Sequence, residues 1–223
     1  MRRFIVDHLA PRVALDREAA HHLLEVVRIP RGGRVLLFDG AGLEAEAVLV
    51  EVREGVPILT LEGPPRAAAP PHPLHLLLGL PRGGATDDAL RMATEAGATD
   101  LHPVLAHRSV ARGERRGRWG RILASAAQQC GRADVPRLHP LRPLGETLEG
   151  LPEGLDGRIT LPGAPALPEA TGPAAVMVGP EGGWTPAETQ AALARGWRPM
   201  GLGRWTLRTA TAAAVAVALV AGG

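Results

Sequence analysis

The chain has 223 residues, of which 45% are hydrophobic, enough for a sizeable core and too apolar for a disordered chain. One cysteine, Cys130, excludes an internal disulfide framework and a multi-cysteine zinc site, and the apolar stretch 212–221 is shorter than the roughly 20 residues a bilayer span needs. The formal net charge is +2, with arginine as the only strong base, so any polyanion-binding surface must be local.

A short strand is expected over Arg3–Val6, then a helix capped by Asp16 with Ala20, Leu23, Leu24 and Val27 at helical spacing. Arg34–Phe38, Leu43–Val52 and Val56–Leu61 read as strands, turned at Asp39-Gly40 and Glu54-Gly55. These elements predict a small β-rich domain over 1–66, compact enough for a barrel. The proline-rich stretch 63–73 is expected outside regular structure and marks the linker.

Over 74–223 the pattern alternates strand and helix. Leu74–Leu80 is a nearly continuous apolar run, as a strand buried on both faces requires. A helix capped by Thr86 ends at Gly97, and Leu101–Ala106 is the next strand. A helix is expected over 115–130, stopped by Gly131. Strands follow at 158–161, 174–178 and 200–202, with helices at 186–195 and 207–220. Alternation of this kind implies an α/β domain built on a mostly parallel sheet.

The positive charge is concentrated in the middle. Residues 75–145 hold 11 arginines against 6 acids, most of them between Arg108 and Arg142, whereas both flanking segments are slightly acidic. On the 115–130 helix, Trp119, Ile122, Leu123, Ala126, Ala127 and Cys130 make one apolar stripe, so Cys130 reads as core. Arg118, Arg121, Ser125, Gln128 and Arg132 line the other side, suited either to phosphates and base edges or to a solvated face.

Three glycine-containing loops sit at expected strand ends: Thr160–Ala164, Val178–Glu188 and Leu202–Ala212. The middle one reads Gly179-Pro180-Glu181-Gly182-Gly183 and enters a helix through a Thr185/Glu188 capping box with Pro186 at the first position. Such loops let a ligand approach backbone closely, at the strand ends where α/β sheets bind ligands. The middle loop fits neither a P-loop nor a Gly-x-Gly-x-x-Gly fingerprint, and the three could converge on one cofactor or be unrelated tight connections. The eight histidines are scattered along the chain without metal-ligand spacing, so no metal is expected. No targeting or spanning segment is read, so a cytoplasmic protein without a membrane partner is the expectation.

Five segments, in order, carry a family resemblance: His22-Leu23 to Val27-Arg28 with Phe38-Asp39-Gly40; Ala93–Ala98 with Pro103 and Arg108-Ser109; Trp119 with Ala126–Arg132 and Val135-Pro136; Gly179–Gly183; and Leu202-Gly203 with Leu207–Ala212. The chain resembles the bacterial 16S ribosomal RNA uracil-N3 methyltransferases, the ribosomal small subunit methyltransferase E family of the SPOUT class. The resemblance implies an N-terminal PUA-like RNA-binding β-barrel and a C-terminal α/β domain with a deep trefoil knot. It implies an enzyme that uses S-adenosylmethionine, works as a homodimer, and methylates N3 of one uridine of 16S rRNA in the 30S subunit.

Carried over residue by residue, the expected cofactor contacts are Leu161, Pro162, Gly163, Gly179, Pro180, Glu181, Gly182, Gly183, Leu202, Gly203, Trp205 and Leu207. Arg208 is the expected stabiliser of the developing uracil anion, and Glu181 is either a base or a shaper of its loop. Arg108, Arg118, Arg121, Gln129 and Arg132 are the expected RNA contacts. The chain departs from the family pattern at Ala210, where a Glu is usual, at Pro81–Gly84, and at Ala96 within Glu95-Ala96-Gly97. The loss of the Glu leaves two other readings open: a non-catalytic RNA-binding or assembly protein, and a SPOUT methyltransferase with another RNA target.

Overall fold

A computed structural model describes residues 1–110 and 113–222; Arg112, part of the basic stretch, lies outside the described residues. The chain divides into two compact units, one of residues 1–69 with 127–135 and the other of residues 70–126 with 136–223.

In the first unit, β1 (Arg3–Ile5), β2 (Arg12–Ala14), β3 (Arg34–Phe38), β4 (Leu43–Arg53), β5 (Val56–Leu61) and β6 (Arg66–Ala67) form one sheet. Strand alternation drives it: Ala45, Ala47 and Leu49 of β4 turn inward at period two and meet Val35, Leu37 and Leu59. The turn between β4 and β5 has left-handed Glu54 (φ 49°) and Gly55 (φ 82°), the two-residue hairpin geometry that matches strand twist. Glu44 is nearly buried between Arg3 (2.8 Å) and Arg66 (2.8 Å). Burial pushes its carboxyl up, but the two guanidinium groups outweigh this and hold it below the usual range.

The spatial order is β1-β3-β4-β5-β2, with β6 on β4. No pairing among the described residues joins β1 to β2, so the sheet is open and the expected closed barrel is not formed. The two terminal strands, of three residues each, pair on one edge only, β1 with β3 and β2 with β5. The linker expectation also needs correction, because Arg66–Ala67 pairs with Leu43–Glu44. The first helix is split: α1 (Arg17–His21) is capped by Asp16, whose Oδ1 accepts from Ala19 N–H at 2.8 Å, and a π-helical turn follows over His22–Val27. It ends with Arg28 in the left-handed region, after two consecutive β-branched valines.

The second unit is a parallel sheet. Its strands are β7 (Leu74–Gly79), β8 (Asp100–Leu105), β9 (Arg137–Leu138), β10 (Arg142–Pro143), β11 (Asp156–Thr160), β12 (Ala174–Val178) and β13 (Arg198–Met200). The order is β10-β8-β7-β12-β11-β13, with β9 also on β8. The helices are α2 (Ala85–Ala96), α3 (Arg116–Cys130, its residues from 127 on belonging to the first unit), α4 (Leu144–Glu149), α5 (Pro186–Ala194) and α6 (Thr209–Ala221). All of β7 and β12 is buried, which explains why their sequences are apolar without alternation. The apolar helix α6 packs on α2, β7 and β12. β7 neighbours β8 on one side and β12 on the other, so the strand order reverses there, the place where open α/β sheets make a ligand crevice.

Three local expectations are revised. Thr86 does not cap α2; Gly84 flanks the helix after left-handed Gly83, and Thr86 is buried in the first turn. The last strand is 198–200, because it pairs with β11 through Met200 and the chain then packs Gly201 against Ala164. Cys130 is exposed, since the apolar stripe of α3 runs off its core at the helix end.

Candidate active site

Four loops leave the carboxyl ends of neighbouring strands: 80–84 after β7, 161–165 after β11, 179–185 after β12 and 201–208 after β13. Three contain the expected cofactor residues. The fourth carries none of them, although a glycine at the end of an apolar strand run marks a close backbone approach. A Cβ on Gly79 would lie 2.5 Å from Pro180 Cδ, so only glycine lets the two loops meet.

The Gly179–Gly183 loop is a tight turn in which Gly183 N–H donates to Pro180 C=O at 2.8 Å, with Gly183 left-handed at φ 69°. Glu181 Oε1 accepts from Arg82 N–H at 3.0 Å. Its carboxylate therefore clamps the loop after β12 to the loop after β7. Arg108 Nη1 donates to Gly182 C=O at 2.7 Å, which puts Arg108, an expected RNA contact, on the same loop. The Thr185/Glu188 capping box is formed as expected. Glu188 Oε1 also accepts from His107 N–H at 2.8 Å and so ties the Arg108 segment to α5.

The other two loops lean on each other. Leu161 N–H donates to Met200 C=O at 3.0 Å, Gly201 N–H donates to Pro165 C=O at 2.8 Å, and a Cβ on Gly201 would sit 2.0 Å from Ala164 oxygen. Pro162 and Gly163 are exposed between them. Leu202, Gly203, Trp205 and Leu207 continue the second loop, Gly203 left-handed at φ 111° and Trp205 71% exposed beneath the Arg204 guanidinium. Arg208 flanks the first turn of α6 and is exposed at the helix's positive end. Two buried donors near this constellation, Ser109 Oγ and Trp184 Nε1, have no protein partner. Glycine-lined backbone, exposed loop edges and unsatisfied polar atoms are what a small polar cofactor needs.

The expected RNA contacts divide. Arg118 is paired with Asp87 at 2.6 Å and Arg121 Nε donates to Gly117 C=O at 3.3 Å, both exposed on α3. Gln129 is exposed, and Arg132 is largely buried in an ion pair with Asp134. Asp87 as the partner of Arg118 left no signal in the sequence, since the two are 31 residues apart. Three of the eight histidines are brought together in space: His75, His102 and His139 converge with Asp100 in the second unit.

The model of an RNA methyltransferase domain matches residues 68–221. The chain is 33% identical over 219 residues to ribosomal RNA small subunit methyltransferase E of Synechocystis, covering 93% of this chain and 72% of that protein. It is 28% identical to the Bacillus subtilis protein of the same name, covering 95% and 90%. The solved structure of ribosomal RNA small subunit methyltransferase E from Neisseria gonorrhoeae bound to S-adenosyl methionine has a TM-score of 0.87 at 30% identity, covering 98% of this chain and 95% of that one. On a family match across most of its length, joined to that four-loop crevice, the chain belongs to the ribosomal RNA small subunit methyltransferase E family.

Proposed function

We propose that this chain uses S-adenosylmethionine to methylate N3 of one uridine in 16S rRNA of the 30S subunit, in the cytoplasm and as a homodimer. The observation that carries the reading is the convergence of the 161–165, 179–185 and 201–208 loops beside the β7/β12 reversal. These loops hold the cofactor, with backbone of Leu161–Gly163, Gly179–Gly183 and Leu202–Leu207 as the cradle. When bound, the sulfonium supplies an electrophilic methyl group to the uracil N3.

The residues then have distinct tasks. They would orient the uracil N3 toward the methyl donor, and the imide proton would leave to solvent or a base. Arg208 and the amino end of α6 place positive charge where the uracil anion develops. Glu181 is a positioning residue, because its Oε1 already accepts from Arg82 N–H. Arg108, Arg118 and Arg121 bind RNA phosphates, together with Gln129 and Arg132. The first unit is a PUA-like RNA-binding domain in its role, although its sheet is open.

A trefoil knot is consistent with the path of segment 161–173. What supports it is that this segment bonds to the chain on either side of α6: Pro165 C=O accepts from Gly201 N–H, and Ala170 N–H donates to Val220 C=O at 2.9 Å at the helix end. Ala210 favours a second reading, a knotted RNA-binding protein without catalysis. Calorimetry with S-adenosylmethionine separates the two. One site per chain that is lost in Gly201→Ala supports the enzyme; RNA binding without any cofactor binding supports the alternative.

A further inference from the structure

Away from the methyl-transfer loops, three imidazoles and a carboxylate meet toward the amino-terminal ends of the strands. His75 lies on β7, Asp100 and His102 on β8, and His139 just after β9. His75, Asp100 and His102 are each 5–7% exposed. His75 Nδ1 is 3.0 Å from His102 Nε2, and His139 Nε2 is 2.7 Å from Asp100 Oδ1. One donor atom from each of the four lies within 4.8 Å of all the others. The other carboxylate oxygen, Asp100 Oδ2, accepts from Thr99 Oγ1 at 3.0 Å. A cavity of about 100 Å³ opens beside His102 and His139, next to Arg142, Glu146 and Thr147. None of these side chains has a task in methyl transfer.

We propose that His75, Asp100, His102 and His139 form a binding site for a divalent transition metal of the zinc type. Three imidazole nitrogens and one carboxylate oxygen are a donor set suited to Zn²⁺, and the cavity is an entry path. A tetrahedral ion with bonds of about 2.0–2.1 Å separates its donor atoms by about 3.4 Å. The His75–His102 pair therefore opens by only a few tenths of an ångström. His139 must move more. Its ring stacks on His102 at 3.8 Å and 12°, and a ligand metal lies in the plane of each ring, so the two rings cannot both bind while stacked. His139 is the most exposed of the four, with 27% of its side chain accessible, and has room to turn. Thr99 keeps the carboxylate oriented as an outer-shell partner. Arg137, with Nη1 3.9 Å from Asp100 Oδ1, is the competing cation, and its 79% exposure lets it swing into solvent. An ion here ties β7, β8 and the segment after β9 together.

The test uses the full chain, stripped with EDTA and titrated with ZnCl₂ by calorimetry and with Co²⁺ by absorption. The expected result is one zinc per chain, the visible bands of four-coordinate cobalt, and a thermal midpoint raised by about 5 °C in excess zinc. His102→Ala removes a buried ligand and risks unfolding, so His139→Gln on the rim is the companion variant. It is expected to weaken zinc binding at least about tenfold while its midpoint in EDTA stays at the wild-type value. No zinc uptake by the stripped protein overturns the proposal. So does zinc binding that persists unchanged in both variants, which would locate the ion at surface histidines such as His21 and His72.

Discussion

The side chain of Glu181 and the backbone N–H of Arg82 are 99 residues apart in sequence and 3.0 Å apart in the fold. This bond joins the loop after β12 to the loop after β7 across the point where the strand order reverses. A carboxylate spent on a backbone donor is poorly placed to accept the imide proton as well. Glu181→Gln retains an acceptor oxygen and is expected to keep near wild-type turnover. Glu181→Ala loses the clamp and weakens cofactor affinity about fivefold, the equivalent of about 1 kcal/mol for one exposed hydrogen bond. Calorimetry and single-turnover kinetics on both variants check this, and a Gln variant with collapsed turnover at normal affinity would restore Glu181 as a base.

Gly201 has no room for a side chain, since its Cβ would meet Ala164 oxygen at 2.0 Å. Gly201→Ala is expected to force the 161–165 and 201–208 loops apart, costing about 1–3 kcal/mol of stability and at least about tenfold in cofactor affinity. Gly163→Ala meets nothing within 4 Å and suffers only from a left-handed φ of 77°. Its cost is expected near 1 kcal/mol. Thermal melts and cofactor titrations of the pair separate steric from conformational effects.

Arg208 is expected to act on the transition state rather than on cofactor binding. Arg208→Ala should lower the single-turnover rate about 10²–10³-fold with the cofactor Kd within about twofold of wild type. A large loss of affinity with an unchanged rate would instead make Arg208 part of the cradle.

Asp156 anchors two arginines, the fully buried Arg158 at 2.7 Å and Arg198 at 2.7 Å. Burial pushes the Asp156 carboxyl up, but these hydrogen bonds and charges more than offset it and hold it below the usual range. A carboxyl lowered in the folded state stabilises above its unfolded value, about 3.9, and loses that contribution as pH falls through the folded value. Asp156→Asn leaves Arg158 buried without its counter-charge and is expected to cost about 3 kcal/mol at pH 7, or roughly 10 °C in Tm. The gap between wild type and variant should hold from neutrality down to about pH 5 and shrink below about pH 4. A gap independent of pH across that range would contradict the assignment.

Much of this organisation is legible in the amino acids themselves. Periodicity and turn chemistry mark β3, β5 and β12 residue for residue, and the Thr185/Glu188 box marks the start of α5. The short strands β2, β6, β9 and β10 are not legible, because two or three residues carry no period. At the site, the three glycine loops announce themselves; the loop after β7 is marked only by Gly79 at the end of its strand, and its bond to Glu181 through the Arg82 backbone is visible only in the fold. The charged face of α3 shows the same limit. Spacing shows that Arg118 and Arg121 share a side, but only the fold shows Arg118 held by Asp87. His75, Asp100, His102 and His139 come together through strand pairing, which no local pattern encodes.

The central claim is methyl transfer to uridine N3 by a chain with Ala210 where its family usually has Glu. The most direct measurement is transfer of a labelled methyl group from S-adenosylmethionine to 30S subunits lacking the modification, with naked 16S rRNA alongside, followed by nucleoside analysis. The account predicts label on 30S rRNA, recovered as N3-methyluridine at a single position. Cofactor binding without label on either substrate, or label recovered at another atom or nucleoside, would contradict it.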